Sequence, residues 1–123
     1  QPMTPEQYLA FEERSPVRHE YVGGFAFARR GATRRHNRLL LNVAMPLHEA
    51  AEGGPCEVFA CTLKVRVDES TYYYPDVGVT CGAPDDDASV ITDPCLVVEV
   101  AAVTSAPVLA CRSAGSKARA WTP

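Results

Sequence analysis

The sequence predicts a single α/β domain, and three of its patterns carry that expectation. Leu39, Val43, Leu47 and Ala51 recur every four residues after Thr33, with Leu40 and Ala44 widening the stripe, as on one face of an amphipathic helix. Leu63, Val65 and Val67 alternate with Lys64, Arg66 and Asp68, the mark of a strand with one wet face. Cys95-Leu96-Val97-Val98-Glu99-Val100 is apolar on both faces except at Glu99, which fits a central strand covered on both sides. A chain of 123 residues has room for one hydrophobic core.

The elements follow in order. Thr4-Pro5-Glu6 opens a short helix: Thr4 is suited to cap it, Pro5 to the first helical position, and Glu6 to the positive end of the dipole. Tyr8, Leu9 and Phe11 supply its apolar side, and Ser15-Pro16 stops it. His19 to Val22 and Phe25 to Ala28 flank Gly23-Gly24 and read as a hairpin. The long helix from Thr33 ends at Gly53-Gly54-Pro55, and Pro46 inside it either costs about 3 kcal/mol or kinks the helix, because it cannot donate to the Asn42 carbonyl. Strands are expected at Cys56–Ala60, from Leu63 to Asp68, from Tyr72 to Tyr74 and from Asp76 to Cys81. An acidic loop, Ala83 to Asp93, leads to the final apolar strand. Beyond Val100 the chain turns rich in alanine and serine without a period. Residues 1–100 thus read as the domain proper and 101–123 as a divergent tail of it.

Composition narrows the class. Hydrophobic residues make up 46% of the chain and charged ones 22%, as in ordinary soluble proteins. No apolar run is long enough to span a membrane, and the first residues lack the pattern of a signal peptide, so a cytoplasmic protein is expected. The five cysteines include no C-x-x-C pair. They read as buried thiols rather than as zinc ligands or disulfides. The net charge of −3 conceals an asymmetry: seven arginines lie between Arg14 and Arg38 against Glu20 alone, whereas eight acids follow Val67. A basic front half is able to touch phosphates, although charge alone favours a solvated helix face and loop arginines.

Two carboxylates carry the chemical signal. Glu99 stands among apolar neighbours that predict deep burial, and an ionised carboxylate there needs a basic partner, a proton or a metal. Asp76 poses the same question more mildly at the head of Val77 and Val79. Two such groups meeting at neighbouring strand ends repel each other unless a cation intervenes, and Mg²⁺ suits oxygen ligands of this kind. The alternative is that Glu99 pairs with an arginine and Asp76 caps a turn after Pro75.

Several segments resemble a known family. They are Met3-Thr4-Pro5-Glu6-Gln7-Tyr8-Leu9, Arg18-His19-Glu20-Tyr21-Val22 with Gly24, Arg35-His36-Asn37-Arg38, Tyr74-Pro75-Asp76-Val77, and Pro94 to Val100. In order and spacing they resemble the Uma-two family of restriction-endonuclease-like proteins, within the PD-(D/E)XK nuclease superfamily. The resemblance implies a restriction-endonuclease-like mixed β-sheet flanked by helices, and a DNA endonuclease dependent on Mg²⁺ or Mn²⁺. It implies Asp76 and Glu99 as metal ligands, with the Val100 carbonyl as a third and Glu20 assisting. His36 would touch a phosphate or hold a carboxylate, although a histidine in a helix's first turn is more often simply exposed. Arg30, Arg34 and Arg35 would approach the DNA backbone.

The chain also departs from that pattern. The family usually places acids where Gly23 and Phe25 stand, and Pro46 is foreign to its helix. A lysine two residues after Glu99 would share its face, but Ala101 stands there. Lys117 lies in the tail, and Lys64 reads as a solvated strand residue. If strands that normally cover the sheet are missing, a homodimer burying the exposed surface is expected. Two other functions compete with an active nuclease. One is a catalytically degenerate homologue that binds nucleic acid or another partner. The other is a small-molecule phosphodiesterase using the same carboxylates.

Overall fold

The computed structural model describes residues 2–29 and 31–100, together with the backbone of a strand at Pro107–Cys111. The first helix, α1, spans Pro5–Arg14 and begins as its sequence dictates. The Gln7 N–H donates to Thr4 Oγ1 at 3.1 Å, and Gln7 Oε1 accepts the Thr4 N–H at 2.9 Å, so two helix-end donors are satisfied reciprocally. The hairpin β1 (His19–Val22) and β2 (Phe25–Ala28) turns through Gly23 and Gly24 at φ of 58° and 97°. Two successive positive φ values match the twist of a tight hairpin and favour glycine at both places.

The long helix α2 spans Arg34–Ala51, with Thr33 Oγ1 accepting the His36 N–H at its start. The helix continues past Pro46, which stands inside it. Pro46 and the neighbouring Asn42 are both exposed, so water reaches the carbonyl left without its helical donor.

The strands divide between two sheets rather than forming one. The remaining ones are β3 (Cys56–Ala60), β4 (Lys64–Asp68), β5 (Thr71–Tyr73), β6 (Val77–Cys81), β7 (Val90–Ile91), β8 (Pro94–Val100) and β9 (Pro107–Cys111). The first sheet has the order β2-β1-β5-β4-β7 and is mixed, since β4 and β7 run parallel. The second has the order β3-β6-β8-β9, with antiparallel neighbours throughout. With its two helices, this is an α+β architecture, consistent with the helix-flanked, restriction-endonuclease-like sheet that the resemblance implies. The short β7 lies within the expected acidic loop. β9 pairs with β8 where no period was expected; otherwise the tail of residues 101–123 lies outside the described residues.

Each sheet carries its own core. Tyr8 of α1 stacks on Tyr21 of β1 with ring centroids 4.7 Å apart, and Tyr72 of β5 completes the cluster. The buried hydroxyls find acceptors: Tyr8 donates to the His19 carbonyl and Tyr21 to the Met3 carbonyl, each at 2.6 Å. Leu40 of α2 packs on Val77 and Val98 of the second sheet, with Val43, Ala44 and Leu47 beside it, so the stripe read from the sequence is the buried one. Gly78 lies directly across from Phe59, whose ring occupies the space a side chain would need.

The expectation of five thiols is corrected at the β3–β6 edge. Cys56 and Cys81 are register partners with Cα atoms 4.0 Å apart and form a disulfide. They lie too far apart in sequence, at a separation of 25, for a local motif to announce the pairing.

Candidate active site

The chain passes from the first sheet to the second through Tyr74-Pro75-Asp76, and the candidate site is built around that crossing. Val77 pairs with Val98 and Gly78 with Val97; continuing this register one residue back places Asp76 opposite Glu99. The two carboxylates therefore meet because β6 and β8 are antiparallel neighbours. Their order of burial is the reverse of that expected. Asp76 is 3% exposed, whereas Glu99 is half-buried near the end of β8.

Asp76 is held from three directions. The Val100 N–H donates to its Oδ2 at 2.7 Å. His36 Nε2 lies 3.1 Å from its Oδ1, and Arg29 Nη2 lies 3.5 Å from the same atom. His36 is thus half-buried against a carboxylate, correcting the exposed reading of a histidine in the first helical turn. Arg29 also reaches Glu20, its Nε standing 3.6 Å from Oε1, so this one guanidinium bridges two of the acids.

The electrostatics record an excess of negative charge. The Glu99 carboxyl is pushed up to about 8, first by burial and then by Asp76 and Glu20, and it shares a hydrogen bond with Asp76. Arg29 opposes the shift without cancelling it. Glu20 is raised as well, mainly by burial, against the pull of Arg29 and of the Tyr74 N–H. Three carboxylates with one guanidinium among them leave room for a further cation.

The donor set suits a hard divalent ion. Asp76, Glu99 and Glu20 offer carboxylate oxygens and Val100 a backbone carbonyl, the ligand types that Mg²⁺ and Mn²⁺ prefer. Among the described residues, no three His, Cys, Asp or Glu side chains form a ready-made cage.

Other residues singled out in the sequence fall differently. Arg34 and Arg35 are exposed on the first turn of α2, and Arg30 lies outside the described residues. Lys64 is half-buried, with its Nζ 5.5 Å from the centroid of the Tyr74 ring, which corrects the solvated reading. Arg29 belongs to the basic stretch of residues 29 to 38 expected at the DNA backbone, but its place beside the acids, like the roles of Glu12 and Tyr74, is not expected from the sequence. The Gly23-Gly24 turn fixes the hairpin register, and that register places Arg29 two residues beyond the partner of Glu20, a clue available from the sequence. Nothing local announces Glu12. It is buried in α1 and accepts the Tyr74 hydroxyl at 2.9 Å and the His19 N–H at 2.7 Å. Burial and Glu12 together raise the Tyr74 hydroxyl above the ordinary phenol range. Glu12 thereby fixes the segment that carries Asp76.

A cleft of about 740 Å³ opens at Asp76, lined also by Arg18, Arg29, His36, Asn37 and Tyr74 among others. An α+β fold with carboxylates on adjoining strands and basic groups at the rim is consistent with a restriction-endonuclease-like domain. The comparison with known families agrees: residues 5–109 match Uma2, described as "Putative restriction endonuclease", and the chain belongs to that family. It is 38% identical over 100 residues to the uncharacterised protein slr1290 of Synechocystis, covering 80% of this chain and 53% of that protein. It is 31% identical over 108 residues to a second uncharacterised Synechocystis protein, sll1609, covering 85% of this chain and 61% of the relative. The chain therefore spans little more than half the length of these curated relatives. No solved structure matches it.

Proposed function

We propose that this domain is a metal-dependent DNA endonuclease that hydrolyses phosphodiester bonds. The supporting observation is the meeting of Asp76 with Glu99, beside Glu20, where Asp76 lines a cleft rimmed by cationic side chains. Asp76 and Glu99 would hold Mg²⁺ or Mn²⁺, with the Val100 carbonyl and Glu20 contributing. When bound, such an ion would supply Lewis acidity to the scissile phosphate and to a water molecule. The remaining tasks fall to the chain itself. Arg29 offsets charge beside Asp76 and Glu20, His36 orients the Asp76 carboxylate, and Glu12 fixes Tyr74 ahead of it. Arg34, Arg35 and Arg30 belong to the basic stretch that would approach the DNA backbone, and the exposure of the first two suits that task. A homodimer belongs to the same proposal, since Phe25 and Phe27 of β2 are exposed.

The test is titration calorimetry of Mg²⁺ and Mn²⁺ into the chain and into Asp76→Asn, followed by plasmid nicking. Binding and nicking in the parent, both lost in the variant, are the expected outcome. Cleavage that survives both chelation and Asp76→Asn would sink the proposal.

Two observations favour a second reading. Both Asp76 oxygens are already held by Val100, His36 and Arg29, and the position two residues after Glu99 is Ala101 rather than lysine. A catalytically degenerate homologue that binds nucleic acid without cutting it would meet both facts. Salt-dependent DNA binding with no metal uptake would establish this reading over the first.

A further inference from the structure

Across the β1–β2 hairpin, the register His19↔Ala28 continues outward to Arg18 and Arg29, and the Arg29 N–H donates to the Arg18 carbonyl at 2.9 Å. Two arginines therefore stand opposite each other on one ribbon, an arrangement that is destabilising unless an anion lies between or beside them. Both guanidinium carbons lie 5.8 Å from the centroid of the Tyr74 ring, and Lys64 Nζ lies 5.5 Å from it. Three cations are thus gathered around one aromatic ring. Arg29 has Glu20 and Asp76 as partners, but among the described residues no carboxylate stands within ion-pair distance of Arg18 or Lys64. Glu12, which lines the same cleft as Arg18, is turned to the Tyr74 hydroxyl and to His19. Arg18 and Arg29 also line the cleft that contains Asp76, so an anion in this place would be continuous with the candidate site.

We propose that Arg18, Arg29 and Lys64, arranged around Tyr74, form a phosphate-binding subsite that takes a DNA backbone phosphate neighbouring the one presented to the carboxylates. This assignment rests on the nuclease reading for its ligand, and on the hairpin geometry for its place. Arg18 supplies planar donors to the phosphate oxygens, while Lys64 adds a point charge. Arg29 joins the subsite to Asp76 and Glu20, so phosphate binding and carboxylate placement share one side chain.

The test is fluorescence anisotropy of a labelled DNA duplex in EDTA, where no cleavage occurs, between about 50 and 200 mM salt. Parent, Arg18→Ala, Lys64→Ala and Arg18→Lys are compared, with circular dichroism as the check on folding. Arg18 is exposed, so its replacement leaves the packing intact. The expected result is about three- to tenfold weaker binding for each alanine variant, with the salt slope shallower by about 0.9 per lost contact. Arg18→Lys should restore the slope, since it returns the charge. Absence of duplex binding by the parent, or unchanged affinity and slope in both alanine variants, would overturn the subsite. So would binding of inorganic phosphate through Arg18 without any effect of Arg18 on the duplex. Cleavage is read separately. A chain that binds through Arg18 and Lys64 but never cuts keeps the subsite and loses the nuclease assignment. Asp76-dependent cutting with unaltered binding by the variants does the reverse.

Discussion

Glu99 concentrates the chemistry of the site in one ionisation. Its carboxyl titrates near 8 in the folded chain, against an ordinary value of 4.5, because burial and the facing Asp76 disfavour the charged form. A raised carboxyl means that the folded chain holds a proton the unfolded chain has released. The stabilisation is therefore fully present below about 4.5 and is lost as pH rises through about 8. Without metal, the thermal midpoint should fall as pH rises across that interval. A divalent ion competes with the same proton, so metal affinity should rise across the interval and level off above it. Calorimetry at pH 6.5 in buffers of different ionisation enthalpy should show about one proton released per ion bound; a pH-independent affinity would remove Glu99 from the site. The apolar run around Glu99 made this residue legible in the sequence. The deeper burial of Asp76 was not, because it comes from α2, β8 and the hairpin closing over it, none of which is local to Asp76.

Single elements were legible in proportion to their length and regularity. Both helices and the glycine hairpin follow from caps, periodicity and turn chemistry, whereas the two-residue β7 carries too few side chains to show a pattern. β9 joins the second sheet through backbone pairing with β8, which its sequence does not advertise. Strand β6 shows how one element constrains its neighbour. Gly78 accepts the Phe59 ring in place of a side chain of its own, and it lies two residues from Asp76. Gly78→Ala should therefore cost about 1–3 kcal/mol in denaturant unfolding, since Phe59 must leave its buried position. It should also weaken metal binding by shifting the start of β6. A variant as stable as the parent would show that the ring moves aside freely.

At the scale of the whole molecule, the first sheet ends in an outer strand with an apolar surface. Phe25 and Phe27 of β2 are 53% and 57% exposed, and Val22 beside them is exposed as well. An edge strand bearing such side chains is a pairing hazard unless something covers it, and this supports the homodimer. Sedimentation at micromolar concentration should give a dimer, and Phe27→Glu should give a monomer of unchanged secondary structure. A monomeric parent would remove the dimer from the proposal. The division into two sheets was hidden in the sequence, because alternation announces a strand without naming its partner.

That division has a consequence for the protein as it is made. The carboxylate pair lies at the margin of the second sheet, Glu20 and Arg29 come from the hairpin of the first, and His36 arrives on the helix between them. Glu99 and Val100 are the last of these parts to leave the ribosome. Under the nuclease reading, a nascent or half-folded chain would be harmless to nucleic acid, its cutting centre assembling only after both layers have closed.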